Sequence, residues 1–435
     1  MCKYDHRVNV SLLHGWFPLS MKVLAVLALL VTIAWRDRVW RLRRLPLALA
    51  AATLLTVLVA LSVVYLSGNT DPLPIGLWLW IGVGLAAVAV LVAGWRGNKW
   101  WQWVAGPVAL VLAFVTAANA LNIYTGYYPT VNDAIGELTG EPLPDQVPFA
   151  QLGSVTGETR KGRVISVTIP STKSGFTHRR ELVYLPPIWF RSAQRPKLPV
   201  MMMIGGEYST PENWVRTGHA VETADAYAAK HDGFAPILVF PDATGGFKND
   251  TECVNGPAGN SEDHLVKDVP PFIIKTFGTA ADSRKWGVGG WSMGGTCALT
   301  LVVTHPGLFG HFFDVSGDTR PNLGGRKQSV EQLFGGDAAA YDAHDPITAM
   351  ARHGQYKNVS GWFEIADGEP QRLPTTKKLE EAANQAGITT RMTVQHGGHT
   401  WQFGADAFKR ALPWLTQQLT TAGGQTGTPS AAPTP

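Results

Sequence analysis

The sequence predicts an N-terminal bundle of four transmembrane helices followed by an α/β domain with an eight-stranded, mostly parallel sheet and helices on both faces. Three observations carry that expectation. The first 125 residues hold four apolar runs, each near the roughly 20 residues a helix needs to cross a bilayer core. From Arg163 onward strand and helix signals alternate, the order of a layered α/β domain. Within that region Trp286 to His305 reads as a short buried strand, a glycine-forced turn and a helix that stops at Pro306.

A chain of 435 residues is long enough for two or three folding units. Its hydrophobic content of 45% is ordinary on average, because uninterrupted apolar runs near the N-terminus are balanced by a mixed sequence afterwards. The expected division is a membrane domain over 1–123, a connector over 124–155, a catalytic domain over 156–419 and a disordered tail over 420–435. The net charge of +4 comes from N-terminal loops and implies no nucleic-acid partner.

The expected spans run from about Ser11 to Trp35, Leu45 to Leu66, Ile75 to Trp95 and Trp101 to Ile123. Between the first two stand Arg36, Arg38, Arg41, Arg43 and Arg44, and after the third Arg96 and Lys99. Basic loops stay in the cytoplasm. The loop around Asp71 is nearly uncharged, so alternation puts both the N-terminus and everything after about Ile123 outside. Trp16, Trp35, Trp78, Trp80, Trp95, Trp100, Trp101 and Trp103 cluster at span ends, where indoles favour the headgroup level. Ionisable groups are almost absent within the spans, which reads as an anchor in the lipid bilayer rather than a transport path.

The 124–155 stretch is rich in Pro, Gly and Asp and reads as a linker. Strands are expected at Arg163–Pro170, Phe176–Leu185, Leu198–Ile204, Ala235–Phe240, Trp286–Gly289, His311–Val315, Gly361–Ala366 and Ile388–Gln395. Helices are expected at Pro211–His231, Glu262–Phe277, Met293–His305, Ser329–Phe334, Pro374–Gln385 and Trp401–Gln418. Two strands before any helix argue an antiparallel edge on a parallel sheet. This is the order of an α/β-hydrolase.

At the turn sits Gly290-Trp-Ser-Met-Gly294, in which a serine is held in strained geometry above a sheet. The five letters alone are weak in a chain with 46 glycines; the flanking strand and helix give them weight. Ser292 is the candidate nucleophile. The base and acid of such a site follow it in chain order. His399, in Gln395-His-Gly-Gly-His-Thr-Trp401 after the last strand, is the candidate base, ahead of His396. The acid leaves the end of the preceding strand, where Glu369 and Asp367 both qualify, with Glu369 placed better in the turn. Oxyanion donors are expected from Met293 N–H and from the loop Ile204-Gly-Gly-Glu-Tyr208, at Glu207 or Gly206.

No metal-binding or dinucleotide fingerprint is present, and the chemistry requires no cofactor. With three cysteines there is no disulfide framework; Cys253 and Cys297 could be bridged in an oxidising compartment, or Cys297 could pack as a small apolar residue. The sequence leaves both open. Acidic residues near the expected mouth, Glu207, Asp242, Asp250, Glu262 and Asp263, could hold a cationic group.

Leu198-Pro-Val-Met-Met-Met-Ile-Gly-Gly206, Val239-Phe-Pro-Asp242, Gly289-Gly-Trp-Ser-Met-Gly-Gly295, His305-Pro-Gly-Leu-Phe309 and Gly397-Gly-His-Thr-Trp401 resemble the esterase D and mycolyltransferase branch of the α/β-hydrolases. The resemblance covers about Gly153 to Leu419. It implies Ser292, His399 and Glu369 as a triad, with Glu207 and Met293 N–H as oxyanion donors, in a membrane-bound cell-envelope esterase. Secreted mycolyltransferases of that branch carry their acid further downstream and lack a membrane bundle, and the short Gly361 to His399 segment here favours hydrolysis over transfer. The expected function is hydrolysis of an acyl-ester lipid, with an aminoacylated phospholipid as one specific form. An acyltransferase using the same triad and a non-catalytic envelope module are the alternatives.

Overall fold

The computed structural model describes residues 10–33, 36–67, 73–143, 145–154, 157 and 159–421. Cys2, Trp35, Asp71 and the tail beyond Thr421 lie outside them. The chain divides into two compact units with the main boundary after Pro142.

The first unit contains four helices long and apolar enough to cross a membrane: Trp16–Ile33, Trp40–Tyr65, Ile75–Ala93 and Trp100–Thr125. The second begins earlier than expected because Trp40–Arg44 forms a π-helical turn, drawing Arg41, Arg43 and Arg44 out of the loop. Small side chains face one another inside the bundle, with Ala25, Ala87, Ala109 and Ala113 fully buried. Large ones face out: Leu19, Leu27, Leu58, Leu61, Leu79 and Phe114 are each more than half exposed. This inverts the pattern of a water-soluble bundle and matches packing among small residues in an apolar surrounding. The segment expected as a connector is partly ordered, with a helix at Val131–Thr139 entered through a Thr130–Asp133 capping box.

The second unit is built on a nine-stranded sheet. Its strands are β1 (Gln146–Pro148), β2 (Arg163–Val167), β3 (Glu181–Leu185), β4 (Val200–Ile204), β5 (Ile237–Phe240), β6 (Trp286–Trp291), β7 (His311–Val315), β8 (Ser360–Ala366) and β9 (Thr389–Gln395), in spatial order β1-β2-β3-β5-β4-β6-β7-β8-β9. The sequence predicted eight strands; β1 was missed because three residues ending in Pro148 give no periodicity. The antiparallel partner is also displaced from the edge. β3 runs antiparallel to both β2 and β5, while β1 pairs parallel with β2. Strands β3 to β8 are buried along their whole length, as strands covered on both faces must be. β9 is the half-exposed edge.

The helix expected over Pro211–His231 is broken into Asn213–Arg216 and Ala220–Ala228. His219 adopts φ 47° at the break. Glu262–Phe277 passes through a π-helical turn at His264–Asp268 before Val269–Phe277. Two helices, Ala338–Ala343 and Pro346–His353, were not anticipated; each starts on an aspartate cap, Asp337 and Asp345. Helices Met293–Thr304, Leu373–Gln385 and Trp401–Thr420 follow β6, β8 and β9, so the ends of those three strands deliver the residues considered next.

Candidate active site

Ser292 stands between β6 and the helix Met293–Thr304 with φ 59° and ψ −125°, a conformation a side-chain-bearing residue holds only when its surroundings enforce it. They do so on three sides. Ser292 N–H donates to Val315 O of β7 at 2.8 Å. A Cβ on Gly290 would come within 2.3 Å of Gly294, and one on Gly294 within 2.2 Å of Ile204 O. Strand and helix can therefore turn this tightly only with glycine at both positions.

His399 reaches Ser292 from the loop after β9. Ser292 Oγ and His399 Nε2 are 2.8 Å apart, and His399 Nδ1 lies 2.7 Å from Glu369 Oε1. A carboxylate accepts only, so Nδ1 carries the proton and Nε2 is left to accept from the serine hydroxyl. Glu369 is 2% exposed. Its second oxygen accepts from Ser316 Oγ at 2.6 Å, and Arg372 Nε stands 3.3 Å away. Burial alone would raise its pKa, but the hydrogen bond and charge of His399, then Ser316 and Arg372, hold it below the usual carboxylate value.

The other acid and histidine of these loops pair with each other. Asp367 accepts from His396 Nδ1 at 3.0 Å and from Gly397 N–H at 3.0 Å. Both side chains are exposed. Gly368 N–H donates to Gly397 O, and a Cβ on Gly368 would stand 2.4 Å from that oxygen. Asp367 thus ties the acid loop to the base loop, and Glu369 is the carboxylate that meets His399.

On the other side of Ser292, Met293 opens its helix, where the first N–H groups have no partner within the helix and the dipole favours negative charge. The Gly205–Glu207 loop approaches closely: a Cβ on Gly206 would lie 3.6 Å from Ser292 Cβ. The backbone of this loop and the start of the helix thus both lie beside Ser292.

Three of the five acids expected at the mouth serve elsewhere. Asp242 is 1% exposed and paired bidentately with Arg179. Glu262 bridges His305 at 2.8 Å and His344 at 3.0 Å, and Asp263 takes Asn255 and Lys267. Charge in a sequence does not reveal which cation will be near. Glu207 and Asp250 do lie together, joined by two acids that sequence reasoning missed, Glu252 and Asp318. Ser316 and Arg372 were missed as well; Arg372 bridges Glu369 and Asp318. Cys253 and Cys297 are bonded, which ties the loop after β5 to the helix that follows Ser292.

Among the described residues, the group whose ligand atoms could surround a metal ion is His178, Glu181 and His264. Both ring nitrogens of His178 face main-chain carbonyls, Arg179 O at 2.7 Å and Ile169 O at 2.8 Å. Each ring nitrogen is thus already taken up by a main-chain oxygen. Glu181 and His264 form a buried pair at 2.9 Å that anchors β3 to the helical segment after β5.

Known proteins of similar sequence give the family. An uncharacterized protein of Corynebacterium glutamicum is 32% identical over 323 residues, covering 71% of this chain and 74% of that one. The S-formylglutathione hydrolase of Paracoccus denitrificans is 29% identical over 192 residues, 40% of this chain and 64% of the relative. An esterase of Mycobacterium tuberculosis is 26% identical over 216 residues, 43% of this chain and 46% of the relative. The chain spans less than two thirds of the length of the latter two. The Esterase family model matches residues 177–415, more than half of the chain and all of the strands from β3 onward, so the chain belongs to the Esterase family of α/β-hydrolases.

Proposed function

We propose that the protein is a membrane-anchored serine esterase that hydrolyses acyl esters of cell-envelope lipids on the outer side of the membrane. The observation that carries the reading is the unbroken line Ser292–His399–Glu369, at 2.8 and 2.7 Å, on a serine held at positive φ. Ser292 Oγ attacks the ester carbonyl as His399 Nε2 takes its proton, and Glu369 stabilises the imidazolium that results. Met293 N–H and Glu207 N–H, with Gly206 beside them, receive the charge that develops on the carbonyl oxygen. His399 then protonates the leaving alcohol. Water, activated by the same ring, releases the acyl group from Ser292.

Lipid as substrate is supported by the four apolar helices with outward-facing leucines, which would hold the enzyme where such esters are concentrated. Tyr208, next to Glu207, forms an exposed aromatic pair with Phe247, centroids 5.4 Å apart, which offers apolar contact for an acyl chain. The basic residues Arg38, Arg41, Arg43, Arg44, Arg96 and Lys99 support the outward orientation of the catalytic domain. The test is lipid mass spectrometry on membranes carrying wild type or Ser292→Ala. Loss of an acyl group from one lipid class with wild type alone supports the reading. Movement of that acyl group onto another lipid or sugar points to transfer, and identical lipid profiles contradict both.

A further inference from the structure

Glu252 is not explained by the reaction above. It lies in the loop after β5 and is 4% exposed. Glu252 and Cys253 are consecutive non-glycine residues at positive φ, 48° and 57°, an arrangement that the Cys253–Cys297 bond and the Thr251 hydroxyl, which accepts Cys253 N–H at 3.1 Å, hold in place. Structure maintained against backbone preference points to a use. The Glu252 carboxylate accepts Asn322 N–H, yet its Oε2 is buried with no hydrogen-bond partner in the protein. The charges that bear on it most are like charges, Asp250, Asp318 and Glu207, of which Asp318 is paired with Arg372. Burial and those neighbours hold Glu252 well above the ordinary carboxylate range and push Asp250 up to about 7. Such a cluster is costly unless something positive completes it.

The cluster borders the reacting atoms. Glu207 follows Gly206, which approaches Ser292. Asp318 N–H donates to Thr296 Oγ1 in the first turn of the helix after Ser292, and Asp318 also pairs with Arg372 beside Glu369. We propose that Glu252, with Asp250, Glu207 and Asp318, forms a subsite that receives the ammonium group of a cationic ester substrate beside Ser292.

This inference rests on the esterase reading, and the experiment separates the two. The ammonium could belong to the acyl group or to the leaving alcohol, so two isosteric pairs are compared: p-nitrophenyl alaninate with p-nitrophenyl isobutyrate, and aminopropyl acetate with butyl acetate. The full-length protein is expected to prefer the cationic member of one pair by about tenfold or more in kcat/KM, the scale of a charge-assisted hydrogen bond in a buried site. Glu252→Gln should lower that ratio about tenfold relative to wild type. Fluorophosphonate labelling of Ser292 reports whether the variant is folded, and Asp250→Asn, expected to lower the same ratio, replaces it if it is not. Ser292-dependent turnover without preference in either pair removes the subsite and leaves the esterase. Turnover that requires added calcium and stops with chelator also overturns it, assigning the carboxylates to a metal. No turnover of any of the four esters by folded protein removes the esterase reading and the subsite together.

Discussion

Replacing Glu369 by Gln separates the two acids that the sequence left competing. Glu369 Oε1 is 2.7 Å from His399 Nδ1, which puts the centres of charge of carboxylate and imidazolium about 4 Å apart. At an effective dielectric near 20 their attraction is about 4 kcal/mol. A factor of ten in rate corresponds to about 1.4 kcal/mol, so losing that attraction in the transition state lowers kcat/KM by about a thousandfold. If the new amide instead turns its NH2 toward Nδ1, the ring is left with its proton on Nε2 and cannot accept from Ser292, which deepens the loss. Asp367→Asn touches His396 and Gly397 but not His399, and is expected to change kcat/KM by less than about threefold, as for an exposed loop contact. The assay is hydrolysis of p-nitrophenyl acetate, with active sites counted by fluorophosphonate. Equal losses in the two variants, or a Glu369→Gln loss under tenfold, would refute the assignment of Glu369.

Further outcomes follow from contacts away from the nucleophile. Alkylation of unreduced protein should leave Cys253 and Cys297 unmodified, and Cys253→Ser with Cys297→Ser should cost about 2–4 kcal/mol in denaturant unfolding; free thiols at both positions would contradict the bond. Burial would raise the Glu262 pKa, but the hydrogen bonds of His305 and His344 hold it at about 2. That stabilisation is present above the unfolded carboxylate pKa of about 4.3 and disappears as pH falls toward 2. Burial would lower the His344 pKa, but the hydrogen bond and charge of Glu262 outweigh it and raise the pKa; that contribution is complete below about 6.5 and declines as pH rises through the folded value. Glu262→Gln should therefore cost most near pH 5, about 3 kcal/mol, and less at pH 3 and pH 9; a pH-independent loss in thermal unfolding would contradict the pairing. A tag placed after Thr421 should be removed by protease added to intact cells, and a protected tag would reverse the proposed topology.

Much of the site was legible because it is local. Gly290-Trp-Ser-Met-Gly294 fixes Ser292 through contacts with its own strand and helix, and His399 sits in the one loop between the last strand and the last helix. The choice between Glu369 and Asp367 was harder, since both leave the same strand end. It is decided by the Gly368–Gly397 contact and the Asp367–His396 pair, neither of which has a sequence signature. Ser316 and Glu369 are 53 residues apart and Arg372 and Asp318 are 54 apart; such meetings depend on which strands are neighbours. Asp242 and Glu262 show the converse, acids expected in the site that Arg179, His305 and His344 draw away. In the fold, long apolar runs gave all four N-terminal helices, whereas β1 was too short to register and the helix broken at His219 carries an apolar pattern that continues across the break.

The most direct test is intact-protein mass spectrometry after exposure to a fluorophosphonate, on wild type, Ser292→Ala and His399→Ala. A single adduct is expected on wild type, mapped to Ser292, with none on Ser292→Ala and labelling of His399→Ala slowed by orders of magnitude. Folded wild type that takes no label, or Ser292→Ala that labels as fast as wild type, would contradict the assignment of Ser292 as the nucleophile.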